Sequence, residues 1–158
     1  MLDYTLVTTK ATYRLVTPVD MPGLIKLASS CYREERRGEE MTPERVVATV
    51  RELDRHKLKG SVLVFEKDEF LVGYCILIPS WSNERGGTII SVDELYVVPS
   101  HREHGIEEDF IALLKKVAPQ DCVGIRIELG RGARKRAETY RKLGFRESGH
   151  SVMSCPTG

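Results

Sequence analysis

No stretch of this chain approaches the roughly 18 to 20 consecutive apolar residues of a membrane span, so no membrane partner is expected. An excess of one charge is also missing: 24 Lys and Arg stand against 23 Asp and Glu, a formal net charge of +1. That balance supplies no general field for nucleic acid or an anionic membrane, and any anionic ligand must be caught by a local site. Aromatics interleaved with basic residues, which a nucleic-acid surface needs, are absent too. Cys31, Cys75, Cys122 and Cys155 lie far apart, without a C-x-x-C pair or a histidine cluster at metal-ligand spacing. They read as buried or free thiols, and no metal site is expected. Internal repeats and low-complexity segments are lacking. Met1 to Lys10 mixes acidic, polar and apolar residues, and a cytoplasmic location is expected.

What remains is an ordinary balance of apolar and charged residues over 158 positions, enough for a single domain, 1–158, with a hydrophobic core. A strand at Tyr13 to Val16 leads to Asp20, a helix cap, with Pro22 in the first turn and Leu24, Leu27, Ala28 and Cys31 along one face. The charged stretch Arg33 to Glu40 interrupts this pattern before Thr42-Pro43-Glu44 opens a second helix. Ser61 to Phe65 and Phe70 to Ile78 read as a hairpin, Pro79 to Gly87 as a loop, and Thr88 to Val98 as a further strand. A helix, a strand at Val123 to Leu129, a basic helix at Ala133 to Leu143 and one or two closing strands in Phe145 to Met153 complete the order. The helix between Val98 and Val123 requires its flanking strands to be parallel. The class is α+β, with helices on both sides of a mixed sheet.

The most informative segment is Asp93 to Ile106, where an apolar strand passes through a short turn into an amphipathic helix. A helix N-terminus leaves N–H groups unpaired and carries the positive end of the dipole, so a phosphate can dock on backbone atoms where a glycine permits close approach. Gly105 is that glycine, and Ile106, Phe110, Leu113, Leu114 and Val117 recur at helical spacing behind it.

Two motifs in this layout resemble the GNAT family of acyl-CoA-dependent N-acetyltransferases. Arg102-Glu103-His104-Gly105-Ile106-Glu107 is similar to the family's R/Q-x-x-G-x-G/A turn, and Tyr140-Arg141-Lys142-Leu143-Gly144-Phe145 to its Tyr-x-x-x-Gly-Phe helix end. The resemblance, which runs from Tyr13 to Met153, implies a GNAT fold: a mixed, mostly antiparallel twisted sheet of 6 to 7 strands with about four helices. It also implies acetyl-CoA as co-substrate, with the backbone of Leu95, Tyr96 and Val97 pairing with the pantetheine arm. The turn of Arg102, Glu103, His104, Gly105, Ile106, Glu107 and Glu108 would hold the pyrophosphate. Acetyl transfer by direct attack of a primary amine needs a base and an acid. Tyr140 matches the family's acid, and two glutamates stand as candidates for the base. Glu128 lies twelve residues before Tyr140 on a strand face shared with Arg126. Glu94 lies with Ile90, Val92 and Tyr96 on an otherwise apolar face, where burial raises a carboxylate's pKa as a general base requires. The acceptor is left open between a small-molecule amine and a peptide amine, with Trp81 a candidate wall of its pocket. A homodimer is common among proteins of this kind.

Two positions depart from the family pattern. Glu107 stands where the turn has glycine or alanine, and its charge opposes a pyrophosphate unless it points away or pairs with Arg102. Ala133 stands where many members carry an asparagine. The alternative these departures keep open is a non-catalytic GNAT-fold binding or regulatory module. The basic run Arg131 to Arg136, cationic at a helix start, is a candidate contact for coenzyme phosphates.

Overall fold

The computed structural model describes residues 5–35, 40–129, 134–150 and 152–157. The chain forms, in order, β1 (Leu6–Val7), β2 (Thr12–Leu15), α1 (Met21–Glu35), α2 (Pro43–Arg55), β3 (Ser61–Lys67), β4 (Phe70–Ser82), β5 (Gly87–Val97), α3 (Ile106–Val117), β6 (Cys122–Ile127) and α4 (Arg134–Lys142). The sheet follows that sequence, β1-β2-β3-β4-β5-β6; every neighbouring pair is antiparallel except β5 with β6. The parallel pair is the one that the α3 crossover demands. This is the expected α+β arrangement.

Two clusters of buried side chains divide the core. α1 and α2 press Leu24, Leu27, Ala28, Tyr32, Val46 and Leu53 onto Val62, Val64, Tyr74 and Tyr96 of one sheet face. α3 presses Ile106, Phe110, Ile111 and Leu114 onto Leu63, Phe65, Leu77, Val92, Leu95 and Val97 of the other, where Tyr140 from α4 joins them. Each such apolar side chain contributes about 1.5–3 kcal/mol on burial, so both layers are held firmly against the sheet. That matters most for α3, whose first turn is thereby fixed at the end of β5.

A bulge in β5 sets which side chains face which layer. Ile76 pairs with Glu94 but Leu77 pairs with Val92, leaving Asp93 as the extra residue. An extra residue reverses the alternation beyond it. Val92 therefore shares the α3 layer with Leu95 and Val97, while Glu94 and Tyr96 turn toward α1. Simple alternation had grouped Glu94 with Ile90 and Val92; the bulge separates them.

Other expectations need correction. β4 runs to Ser82 and β5 starts at Gly87, so most of the expected loop from Pro79 to Gly87 is strand, with Trp81 paired to Thr88 and exposed. Pro79 is accommodated beyond Leu77, the last β4 residue paired with β3. No strand forms in the described part of Phe145 to Met153, where backbone hydrogen bonding ends with the turn Phe145 N–H to Tyr140 O. α1 extends through Glu35 into the charged stretch thought to interrupt it. Asp20 lies in a 3-10 turn, and its carboxylate accepts from Thr17 N–H at 2.7 Å and from Arg14 instead of capping α1. Ala133 and residues 131–132 of the basic run lie outside the described residues.

Candidate active site at the fork between two strands

Among the described residues, the pairing between β5 and β6 stops at Val92 and Ile127, and β5 runs on to Val97 beyond it. The sheet forks there. A small cavity of about 30 Å³ in the fork is lined by Glu94, Leu95, Glu128, Arg136, Tyr140 and their neighbours. All three residues singled out as acid or base thus line one place, although Glu94 lies far from the other two in sequence. The space holds a water molecule and little more.

Glu94 is 8 % exposed. Its Oε1 accepts from the Tyr32 hydroxyl and its Oε2 from the Tyr74 hydroxyl, each at 2.6 Å. These partners are tyrosines from α1 and β4. Burial, and then the charge of Glu94, push the Tyr74 hydroxyl far above the ordinary tyrosine range, so it remains a donor. Two hydroxyls engage only part of a carboxylate's accepting capacity, and Glu94 keeps lone pairs for a further proton. Glu128, by contrast, follows the last residue of β6 and is exposed at the cavity's mouth.

Tyr140, 2 % exposed, donates its hydroxyl to Glu107 Oε2 at 3.0 Å. Burial raises its pKa strongly and the adjacent Glu107 charge raises it further, so Tyr140 is a protonated donor across the physiological range. Glu107 Oε1 accepts from Arg136 Nη1 at 3.0 Å, and Arg136 Nη2 donates to Glu35 at 2.6 Å. The Arg136 guanidinium also reaches Leu95 O, at a long 3.4 Å. Glu107 thus turns away from the phosphate turn, as one of the two expected escapes allowed, but its partner is Arg136 and not Arg102. Arg102 instead donates from Nε to Val97 O at 2.9 Å and from Nη2 to Glu34 at 2.5 Å. Tyr96 donates to the same Glu34 at 2.7 Å. Burial alone would raise the Glu34 pKa, but the Tyr96 and Arg102 hydrogen bonds outweigh it and the net direction is down.

The turn beyond β5 has the shape of an anion site. Gly105 is the N-cap of α3 at φ 76°, a left-handed conformation open to glycine at little cost. The first helical bond is Asp109 N–H to Gly105 O, which leaves the N–H groups of Ile106, Glu107 and Glu108 without helical acceptors. Of the three acids in this turn, Glu107 is held by Arg136 and Tyr140, and Asp109 accepts from Thr8 at 2.6 Å and Tyr13 at 2.7 Å. Lys10 comes within 3.7 Å of where a β-carbon on Gly105 would stand, adding a cation at the turn. The residues present therefore fit the nucleotide end of a coenzyme A. They do not leave its pantetheine end open: the adjoining cavity, about 390 Å³ and lined by Glu34, Glu35, Val97, Arg102 and Glu107 among others, is bounded by Arg136.

Sequence reasoning placed Glu94, Glu128 and Tyr140 at the site but passed over Tyr32, Tyr74 and Glu35, and it read Arg136 only as part of a basic run toward coenzyme phosphates. A signal for Arg136 was present, since it lies four residues before Tyr140 and so on the same helix face. Among the described residues no group of His, Cys, Asp and Glu is arranged to hold a metal ion. No helix among them is long and apolar enough to cross a membrane.

A family model for the acetyltransferase (GNAT) domain matches residues 59–147, more than half of the chain. Solved structures share the fold over nearly the full length. A possible acetyltransferase from Clostridium difficile 630 superposes with a TM-score of 0.78 at 19 % identity, covering 93 % of this chain and 97 % of its own. A ribosomal-protein-alanine N-acetyltransferase from Brucella melitensis biovar Abortus 2308 gives 0.73 at 18 %, covering 94 % and 99 %. The aminoglycoside N-acetyltransferase AAC(6')-Iy, solved in complex with CoA, gives 0.76 at 13 %, covering 97 % and 100 %. No curated protein matches by sequence at a significant level.

Proposed function

Because the chain belongs to the GNAT acetyltransferase domain family, we propose that it is a single-domain, acetyl-CoA-dependent N-acetyltransferase acting on a primary amine of a small molecule or peptide. The observation that carries this reading is the convergence of Glu94 and Tyr140 on one cavity at the strand fork, beside a helix N-terminus built for an anion. Bound acetyl-CoA supplies the activated acetyl thioester. In this reading Glu94 takes a proton from the substrate ammonium, directly or through the single water the fork can hold, and the neutral amine so formed attacks the acetyl carbon, making the C–N bond as the C–S bond breaks. Tyr32 and Tyr74 fix the carboxylate between α1 and β4, so that its position does not depend on the substrate. Tyr140, protonated and buried, gives the departing thiolate its proton once its hydroxyl turns from Glu107. The free N–H groups at the start of α3 and Lys10 neutralise the phosphates.

A second reading, the non-catalytic module, is favoured by one observation: Arg136 stands at the Leu95 carbonyl where the pantetheine arm would pair. Amine-dependent release of free thiol from acetyl-CoA, with the acetylated amine identified by mass spectrometry, separates the two. Release above the uncatalysed rate with any of a panel of amines and peptide N-termini supports the transferase. No release, together with no heat on titrating acetyl-CoA to millimolar concentration, leaves the module.

A further inference from the structure

Beyond the described pairing with β6, β5 carries two carbonyls, Leu95 O and Val97 O, on the side where an added strand would dock. Neither is free. Arg136 Nη1 reaches the first and Arg102 Nε caps the second. Each guanidinium is in turn held by a carboxylate on α1, Glu35 for Arg136 and Glu34 for Arg102. Arg136 is the more deeply set: its side chain is 22 % exposed and those of its partners Glu35 and Glu107 are 20 % and 11 % exposed, against 34 % and 36 % for the Arg102–Glu34 pair. Ion pairs that are partly buried hold their geometry better than exposed ones, so Arg136 is the principal obstacle.

Building on the acetyl-CoA reading, we infer that Arg136 is an intramolecular latch: its guanidinium takes the place of the pantetheine arm on β5, and acetyl-CoA enters only when Arg136 swings out. Three elements meet in the latch, because it joins the end of α1 at Glu35, the start of α3 at Glu107 and the edge of β5 at Leu95. Glu107, the residue that departs from the family's turn, is thereby given a task. It anchors the latch and leaves the backbone N–H groups of its own turn open, so the nucleotide end docks while the pantetheine end is shut. The energy of closing is spent against the arm alone.

The latch is tested by calorimetric titration of the full-length protein with two probes, acetyl-CoA and ADP. ADP carries the pyrophosphate without the arm. Arg136→Met keeps an apolar stem and removes the guanidinium, while Arg136→Met/Glu107→Gln also removes the carboxylate that would otherwise be left buried without its cation. Thermal unfolding checks that each variant folds. The expected result is acetyl-CoA binding tightened at least about ten-fold in one or both variants, with ADP affinity changed by less than about two-fold. Equal tightening toward both probes would mean that only the charge around the phosphates had changed, and would overturn the latch. Unchanged or weaker acetyl-CoA binding in both variants would overturn it too. Wild-type protein that binds acetyl-CoA, with variants no tighter, removes the latch alone. If no protein binds either probe, the acetyl-CoA reading falls with it.

Discussion

The hydroxyl of Tyr140 donates to Glu107 Oε2 at 3.0 Å, joining the tyrosine of one family-like motif to the residue that breaks the other. Tyr140→Phe removes this bond and leaves a buried carboxylate with Arg136 as its remaining side-chain partner in this group. Loss of a hydrogen bond to a charged, buried group costs about 1–3 kcal/mol. For a chain of this size that corresponds to roughly 2–10 °C in melting temperature. If Tyr140 is also the acid, turnover falls by about 10²-fold or more while the KM for acetyl-CoA stays close to wild type. A lower melting temperature with unchanged turnover would confine Tyr140 to a packing role.

Glu94 and Glu128 give a paired prediction. Glu94→Gln keeps the shape and a hydrogen-bonding group between Tyr32 and Tyr74, so if Glu94 is the base, kcat is expected to drop by about 10²-fold or more. Glu128→Gln, at an exposed position beyond β6, is expected to stay within a few-fold of wild type. Steady-state kinetics of the two variants check both, with the loss of kcat expected in the Glu94 variant only. The reverse pattern would transfer the base to Glu128.

Much of the fold was legible because its elements carry strong local signals. The helical spacing from Ile106 to Val117 and the strands on either side of it required a parallel pair, and that pair is β5 with β6. The bulge at Asp93 was not legible, since one extra residue leaves no mark on composition while it reverses every side chain beyond it. The same holds for Arg136. In a run of cations it looked like a solvated patch facing phosphates, but its partners Glu35 and Glu107 lie on two other elements and become neighbours only when the sheet forks. Tyr32 and Tyr74 carry no signal of their own in the sequence, because the carboxylate they hold comes from a third element, β5.

Gly105 separates the phosphate turn from the latch. Its φ of 76° is left-handed, and an alanine there pays roughly 1 kcal/mol or more in backbone strain. A β-carbon would meet the Lys10 side chain only at an ordinary 3.7 Å, so strain and not collision is the cause. Gly105→Ala is expected to weaken acetyl-CoA and ADP alike, by about five-fold or more. That common loss contrasts with the selective gain expected on removing Arg136. An alanine variant that binds ADP as well as the wild type would show that the anion site lies elsewhere.

The elbow between β2 and α1 gives a prediction about acid. Arg14 grips Asp20 with two bonds, Nη1 to Oδ2 at 2.7 Å and Nη2 to Oδ1 at 2.9 Å, and reaches Glu66 Oε2 at 2.7 Å. The Arg14 hydrogen bond is the largest cause that holds the Asp20 carboxyl down at about 2 against an ordinary value of 3.8. A depressed carboxylate stabilises the fold above its unfolded pKa and loses that contribution as pH falls through the folded value. The relevant window therefore runs from about pH 5 down to about pH 2, with about 2 kcal/mol at stake. Asp20→Asn removes the charge at every pH, so its melting temperature should be lower than wild type at pH 7 and the gap should shrink steadily as the pH approaches 2. Because Asp20 sits at the start of the helix that carries Tyr32, Glu34 and Glu35, the same variant should loosen the fork as well as the elbow. A gap in melting temperature that stays constant across the acid range would mean that Asp20 contributes by shape and not by charge.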